Sequence, residues 1–253
     1  MCVEREWHAR EDGQVVGHGA AWRRLDGRLF VSIDAWHGAA FDQIVGMMLA
    51  DLPRPLYTMV DETDAELTSQ WQRAGFTTGR REWMCLVPTD PRATGLHAAS
   101  VPPDVTILPV GEPEEGPLRR LDRALRDEIE ATVGWQEMPA EVLHRPADGS
   151  PVDPSVFVHP SKCAVAARSG QYVGMIRLAP VPRQPRIGLI AVRAGQRRHG
   201  IARALLAQVL GSLHQSGIRT VAAEVSEANE AATGLFESVG AQRVSRNLEL
   251  LLR

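Results

Sequence analysis

Hydrophobic and polar positions follow two different periods along the chain, and these periods predict its helices and strands. In residues 8–24, Asp12-Gly13 is a strong signal for a tight turn and predicts a β-hairpin. Apolar residues recur every three or four positions in two later segments, which predicts amphipathic helices. The first half is therefore predicted to contain strands over 28–36, 56–60 and 82–87, and helices over 39–52 and 64–74.

The second half shows the same patterns in a similar order. A second hairpin is predicted over 161–178, and a helix that begins near Ile201 is predicted to end before Gly217. The charged face of the helix over 117–133 is expected to be solvated. The segment 135–155 is rich in proline and is expected to be irregular. Further strands are predicted over 105–110, 186–192, 219–225 and 243–252, and further helices over 117–133 and 229–239.

The two halves share residues as well as patterns, which indicates an ancient duplication. The hairpin segment 167–174 is similar to 9–17 but has one residue fewer. Convergent patterning of strands and helices is the alternative explanation. Four identities recur 165 positions apart, namely Val60 and Val225, Glu62 and Glu227, Gly75 and Gly240, and Arg81 and Arg246.

Composition limits the classes of protein that fit. The chain has 253 residues, 44% of them hydrophobic, so it can form one large or two small domains. Its net charge of −3 is spread along the chain and indicates no general nucleic-acid or membrane surface. The beginning of the chain lacks a signal-peptide pattern, and no apolar run is long enough to cross a bilayer. The three cysteines have neither disulfide nor zinc spacing, which predicts a cytoplasmic protein without a metal.

The segment 192–202 is the strongest candidate for a ligand site. It joins a predicted buried strand to a predicted helix, so backbone N–H groups and the positive end of the helix dipole point into one loop. Arg197 and Arg198 add positive charge, and Gly200 allows close approach to the backbone. The pattern differs from the two common glycine-rich nucleotide loops, G-x-x-x-x-G-K-[ST] and G-x-G-x-x-G. A phosphate group is the expected ligand.

Two motifs carry a resemblance to a known family. Arg197, Gly200 and Ala202 form R-x-x-G-x-A five residues after Val192, with Ala194 in place of the usual proline, and this resembles the pyrophosphate loop of the GNAT superfamily of acyl-CoA-dependent N-acyltransferases. The segment from Glu224 to Phe236 resembles the second signature of that superfamily. The resemblance implies an α/β (α+β) fold in which a central mixed, mostly antiparallel sheet is flanked by helices, in two tandem units.

The resemblance also implies an order of domains and a co-substrate. Residues 1–90 are expected to form a truncated unit without a CoA loop, 91–103 a linker, and 104–253 the acetyltransferase domain. Acetyl-CoA is the implied co-substrate, with no metal, and the irregular segment with Trp135, Glu137, Glu141 and His144 is implied to shape the acceptor pocket. The implied acetyl-CoA-binding residues are Ile190, Ala191, Val192, Arg197, Arg198, His199, Gly200, Ile201, Ala202, Arg203, Asn229 and Phe236. The N–H of Ala191 or Val192 is expected to bind the thioester oxygen.

Glu224 occupies the family position at which a Glu often acts as base. An amine has an unperturbed pKa of about 10 and must lose a proton during attack on a thioester. A strand-end Glu that binds a backbone amide or an Arg is the equally open alternative. Phe236 stands where the family often has a proton-donating Tyr, and Asn229 is also a candidate helix N-cap.

The predicted function is therefore acetyl transfer from acetyl-CoA to an amine of an unidentified acceptor, by direct attack on the thioester. The alternative is a non-catalytic acyl-CoA-binding regulatory or scaffold protein. No nucleic-acid or membrane partner is expected, and a homodimer is left open.

Overall fold

The structure is a computed structural model that describes residues 3–24, 27–98, 101–132, 158–179 and 184–253. The described part of the chain forms two compact units. The first contains the residues up to Glu82 together with Ser245–Arg253, and the second lies between Trp83 and Val244. The segment 135–155, with Trp135, Glu137, Glu141 and His144, lies outside the described residues.

Eleven strands and five α-helices form the elements of the described residues. The helices are α1 (Gly38–Asp51), α2 (Ala65–Arg73), α3 (Glu115–Thr132), α4 (Ile201–Gln215) and α5 (Glu230–Glu237). The strands are β1 (Arg5–Glu11), β2 (Gln14–Arg23), β3 (Leu29–Ala35), β4 (Leu56–Asp61), β5 (Thr77–Pro88), β6 (Val105–Leu108), β7 (Cys163–Arg168), β8 (Gln171–Ala179), β9 (Arg186–Val192), β10 (Thr220–Ser226) and β11 (Gln242–Leu252). None of the helices in the described ranges combines the length and hydropathy that a membrane crossing requires.

The first unit packs α1 closely on a mixed sheet. The strand order is β1-β2-β3-β4-β11-β5, in which β3 and β4 are parallel and the pairs β1–β2, β2–β3 and β4–β11 are antiparallel. Gly17 and Gly19 of β2 face α1, where an added Cβ would lie 2.8 Å and 2.4 Å from side-chain atoms of Ile44. These glycines therefore allow the buried face of α1 to approach the sheet.

Strand β11 completes the core of the first unit, although it comes from the end of the chain. It pairs antiparallel with β4, and Leu248, Leu250 and Leu252 join the same buried cluster as Trp71. Conversely, β5 continues past Trp83 into the second unit, where its neighbour is β10. Each unit thus includes a strand from the other half of the sequence. Whether the segments 1–90 and 104–253 fold as separate domains stays a prediction.

The second unit packs helices on a sheet of the order β5-β10-β9-β8-β7-β6. The pair β9–β10 is parallel, and β6, β7, β8 and β9 follow one another antiparallel. Leu205, Leu206 and Val209 of α4 belong to its core. Leu96 of a short 3₁₀ helix is buried in the same core, so part of the predicted linker 91–103 packs on this unit.

The sequence pattern predicts the order of these elements correctly, and the predicted fold class is confirmed. Asn229 caps the N-terminus of α5 through its side chain, as predicted, and Asp64 caps that of α2 in the same way. Strand β5 begins at Thr77, earlier than predicted. The solvated face predicted for α3 is wrong at Asp122, which is buried and accepts a 2.6 Å hydrogen bond from Arg126.

The two hairpins, β1–β2 and β7–β8, repeat one another without a gap. Each has a two-residue turn and one extra residue, a β-bulge, on its second strand: Val16 before Gly17, and Val173 before Gly174. The predicted difference of one residue between these hairpins is therefore wrong. Gly174 faces α4, where a Cβ would lie 3.2 Å from Ile201. The turn, the bulge and the helix-facing glycine thus recur together.

Leu250 tests the place of β11 in the first unit. Its side chain is completely buried, so Leu250→Ala should lower the free energy of unfolding by about 2–5 kcal/mol. Leu251→Ala is the matched control, because Leu251 follows Leu250 on the same strand and its side chain is only half-buried. Urea unfolding measures both variants. Equal losses for the two variants would contradict the packing of β11 described above.

Candidate active site

Strands β9 and β10 are paired over only a short stretch. Their pairing ends at Ile187 and Ala223, whereas the strands continue to Val192 and Ser226. On its other edge, β9 stays paired with β8 as far as Val192. The C-terminal half of β9 therefore presents one backbone edge to a gap between the two parallel strands.

The end of β9 directs backbone groups into this gap. The N–H of Arg193 donates to the carbonyl of Val173 on β8 at 2.8 Å. Because backbone groups of successive residues in a strand point to opposite edges, the N–H and carbonyl of Val192 lie on the gap side. The Val192 carbonyl accepts a 3.0 Å hydrogen bond from Nε of Arg197. Of the two predicted oxyanion donors, Ala191 and Val192, this alternation favours Val192.

The loop after β9 ends in a helix N-terminus without an internal acceptor. Arg198 and Gly200 have φ angles of 65° and 80°, both in the left-handed region. Gly200 is the N-cap of α4 and has no side chain to accept from the N–H groups of the first turn. In the equivalent helix α1, the N-cap His37 accepts from the N–H of Ala40 at 3.2 Å. The start of α4 can therefore receive an external anion, whereas that of α1 has its own acceptor.

The predicted loop residues have different surroundings. Residues 197–199 are exposed, as phosphate-binding side chains need to be. Ile201 is buried against Gly174 and anchors the start of α4. Arg203 donates to Oγ of Ser238 at 2.8 Å, so it contacts the end of α5.

Glu128 of α3 binds the beginning of this loop. Its Oε1 accepts from Nε of Arg193 at 2.5 Å, and its Oε2 accepts from the N–H of Ala194 at 2.7 Å. Arg197 lies 3.9 Å from Oε2. The loop between β9 and α4, residues 193–200, is named the anion loop. A carboxylate thus binds a backbone N–H and an arginine of the anion loop and connects this loop to α3.

The surroundings of Glu128 favour its ionised form. Burial opposes ionisation, but the hydrogen bonds from Arg193 and Ala194 and the charges of Arg193 and Arg197 outweigh it, so the pKa of Glu128 lies below its usual value. The prediction of a solvated charged face is therefore wrong for Glu128 as well. The helical pattern shows only that position 128 is polar, because its partners lie 65 and more positions away.

Glu224, the predicted base, lies directly after Ala223, the last residue of β10 that pairs with β9. Its Oε1 accepts from Nη1 of Arg186 at 2.9 Å, and 20% of its side chain is exposed. An ion pair with an arginine is the structural role that the sequence left open. The same pair holds the carboxylate at the beginning of the β9–β10 gap.

Asn229 and Phe236 lie at opposite ends of α5. Asn229 accepts from the N–H of Ala232 at 3.0 Å, which is the predicted capping role. Phe236 is buried and lines a small cleft with Trp83 and Cys85. Burial raises the pKa of the Cys85 thiol, which makes it a poor nucleophile.

The structure thus brings most of the predicted binding residues into one region of the second unit, at the end of β9 and the start of α4. Asn229 and Phe236 are placed by α5 instead. The residues that the sequence analysis missed are Glu128, Arg186, Arg193 and Gln196, the last of which accepts a 2.8 Å hydrogen bond from Arg168. The predicted binding residues that lie at the end of β9, in the following loop or at the start of α4 are Ile190, Ala191, Val192, Arg197, Arg198, His199, Gly200, Ile201, Ala202 and Arg203.

Comparison with protein families finds a match over part of the chain. Residues 124–241 match the acetyltransferase (GNAT) family. The matched region begins within α3 and ends just before β11, so it includes Glu128, the anion loop and Glu224. The comparison with curated proteins found no matching sequence.

Solved structures with a similar fold cover nearly the whole chain. A GCN5-related N-acetyltransferase from Sphaerobacter thermophilus is 19% identical, with a TM-score of 0.64 over 95% of this chain and 78% of that one. A tandem GNAT protein from the clavulanic acid biosynthesis pathway is 14% identical, with a TM-score of 0.66 over 98% and 82%. A GCN5-related N-acetyltransferase from Kribbella flavida is 14% identical, with a TM-score of 0.61 over 93% and 86%. The family match thus covers residues 124–241, and the chain as a whole has a fold similar to that of these N-acetyltransferase structures, a tandem GNAT protein among them.

Proposed function

We propose that this protein transfers the acetyl group of acetyl-CoA to an amine of an acceptor. The observation that carries the proposal is the combination of a basic anion loop at the start of α4 with an open edge of β9 beside it. The loop suits the pyrophosphate of acetyl-CoA, because Gly200 adds no competing side chain and residues 197–199 are exposed. The open edge of β9 suits the extended pantetheine arm, which can hydrogen-bond to it as a strand would.

The transfer needs an oxyanion donor and a proton acceptor. The amine nitrogen attacks the thioester carbonyl, a C–N bond forms, and the C–S bond breaks to release the CoA thiolate. The N–H of Val192 would stabilise the negative oxygen that develops during attack. Glu224 would accept the proton of the amine, directly or through a water molecule. Phe236 has no proton to donate, and a thiol pKa of about 8.5 makes the thiolate an adequate leaving group without an acid.

The first unit is proposed to have no acetyl-CoA site of its own. Its helix α1 begins after Trp36 and His37 instead of a basic loop, and His37 already accepts an N–H of the first turn. The buried, unpaired Cys85 and Cys163 fit a reducing compartment, so we place the reaction in the cytoplasm. The acceptor is proposed only as an amine.

A second candidate function is acyl-CoA binding without catalysis, in a regulatory or scaffold role. Phe236 favours it, because the side chain at the family's acid position cannot donate a proton. Release of CoA in the presence of a panel of primary amines separates the two functions. Accelerated release with any amine supports transfer, whereas tight acetyl-CoA binding without release across the panel supports the second candidate.

The anion loop predicts one acetyl-CoA site per chain. Replacing both Arg197 and Arg198 by Ala should weaken acetyl-CoA binding at least about 100-fold, since hydrogen bonds to charged groups contribute about 1.5–3 kcal/mol each. Isothermal titration calorimetry measures both the stoichiometry and the affinity. Arg219→Ala, an exposed arginine of the same unit, is the control and should bind normally. Two equivalent sites, or unchanged affinity in the double variant, would refute the assignment.

Glu224→Gln tests the proposed base. The variant should bind acetyl-CoA with nearly unchanged affinity but transfer acetyl groups about 10²-fold more slowly, the usual contribution of a general base. The wild-type rate should rise with pH, as the amine or Glu224 loses its proton, and then level off. Glu230→Gln removes an exposed carboxylate from the first turn of α5 and should have little effect. Full activity of Glu224→Gln with every accepted amine at neutral pH would show that the carboxylate is structural.

Glu128→Gln tests the connection between α3 and the loop. The variant should lower the free energy of unfolding by about 1 kcal/mol at neutral pH, because it loses charge-assisted hydrogen bonds. The pKa of Glu128 is lowered in the folded protein. Its stabilisation is therefore complete above the unfolded-state pKa of about 4.3 and is lost as the pH falls through the folded-state value.

Urea unfolding at several pH values measures this difference. The difference in the free energy of unfolding between the wild type and Glu128→Gln should be constant near neutral pH and should become smaller in acid. Glu115→Gln is the matched control on the same helix, since its pair with Arg119 is exposed and contributes little. A difference in the free energy of unfolding that persists at acid pH would mean that the shape of the Glu128 side chain, rather than its charge, accounts for the stabilisation.

A further inference from the structure

Three side chains that suit a metal ion converge on the outer face of the β1–β2 hairpin. Glu6, His8 and His18 each offer one ligand atom, and these atoms lie within 4.8 Å of one another. Oε1 of Glu6 is 3.8 Å from Nε2 of His18. The two imidazole rings have centroids 5.1 Å apart and planes inclined by 55°, so they are not stacked face to face. All three side chains can reach solvent.

The β-bulge at Val16 is what brings the two histidines together. Pairing counted strictly outward from the Asp12-Gly13 turn would place His8 opposite Gly17 and turn His18 toward the face of Trp7, which is buried. With the bulge, His8 lies directly opposite His18, and Trp7 lies opposite Gly19. A bulge re-aims the side chains that follow it. Here it moves an imidazole from the buried face of the sheet to the exposed one.

A second carboxylate borders this group. Asp34 of β3 lies directly opposite His18 in the antiparallel pair β2–β3 and is exposed. Directly paired residues have Cβ atoms about 4.5–5.5 Å apart, within reach of one another's side chains. The face therefore carries two imidazoles between two acidic side chains, a charge pattern that attracts a cation.

The corresponding positions of the second hairpin are apolar. Val165 and Met175 form the pair equivalent to His8 and His18, and both are completely buried. Helix α3 packs on β8 in that unit. The first unit has no counterpart of α3 among its described residues. Its hairpin face is therefore exposed, and exposure explains polar residues there but not the choice of two histidines beside a glutamate.

We propose that Glu6, His8 and His18 bind a divalent transition-metal ion, with Zn²⁺ as the ion that suits them best. Imidazole nitrogens favour Zn²⁺, Cu²⁺ and Ni²⁺, whereas Mg²⁺ and Ca²⁺ favour all-oxygen sites. Two histidines and one glutamate supply three ligands and leave a fourth position for water or for Asp34. The ion would connect the edge strand β1 to β2.

The geometry requires only small side-chain movements. Ligand atoms about 2.0–2.2 Å from a tetrahedral Zn²⁺ are about 3.3 Å from one another. The three atoms here already lie within 4.8 Å of one another, on side chains that can reach solvent. The site shares no residue with the proposed acetyl-CoA site.

Zn²⁺ titration of the full chain, prepared without a polyhistidine tag, tests the proposal. Isothermal titration calorimetry should show one saturable Zn²⁺ site that excess Mg²⁺ does not displace. His8→Asn and His18→Asn should each weaken binding at least about 100-fold, the upper end of what the loss of a group that only orients a ligand costs. Zn²⁺ should also raise the Tm of the wild type, because it binds only the folded hairpin. His214→Asn, an exposed histidine of α4, is the matched control and should bind as the wild type does.

A second measurement identifies the residues directly. Substoichiometric Cu²⁺ should broaden the NMR signals of β1 and β2 around His8 and His18 in the wild type, and not in a variant that carries both His8→Asn and His18→Asn. Circular dichroism checks that the variants fold, which is expected because neither side chain is buried. If a histidine variant fails to fold, Glu6→Gln replaces it. The absence of saturable Zn²⁺ binding, or equal affinity in the wild type and the variants, would overturn the proposal.

Discussion

The early end of the pairing between β9 and β10 is the constraint on which the candidate site depends. Parallel strands normally satisfy one another's backbone groups along their length. Here the pairing stops at Ile187 and Ala223, so the later backbone of β9 needs another partner. An extended amide-containing arm can supply it. The same end of β9 leads into the anion loop. One interruption of the sheet therefore places the open edge of β9, which suits such an arm, next to the loop that suits the charged end of the arm.

The loop itself is held by contacts with the rest of the second unit before any ligand arrives. Glu128 binds Arg193 and the N–H of Ala194, and Arg197 binds the carbonyl of Val192. Loop residues that are already ordered lose less conformational entropy when they bind a ligand. The cost is a carboxylate close to the place proposed for a pyrophosphate, and Arg193 and Arg197 offset its charge.

Local patterns account for the elements and caps, but not for the partners of the strands. Period and turn residues gave the order of helices and strands, and Asp64 and Asn229 act as caps within their own segments. The pairing of β11 with β4 joins residues far apart in the sequence, and its alternating leucines would suit any sheet with an apolar face. The loop motif marks Arg197 and Gly200 because its spacing is local. Glu128 carries no such mark, since its role depends on where α3 packs.

The two hairpins show how one local structure can serve different ends. Both keep the turn, the bulge and the glycine that faces a helix, as Gly17 does toward Ile44 and Gly174 toward Ile201. These features determine the inner face, where an added Cβ would lie 2.8 Å from Ile44 at Gly17 and 3.2 Å from Ile201 at Gly174. The residues on the outer face of each hairpin differ according to what covers that face. Val165 and Met175 lie buried in the unit that has α3, whereas His8 and His18 are accessible in the unit that has no such helix among its described residues. The shared bulge fixes which residues face one another, and the covering determines whether their chemistry is available to a ligand.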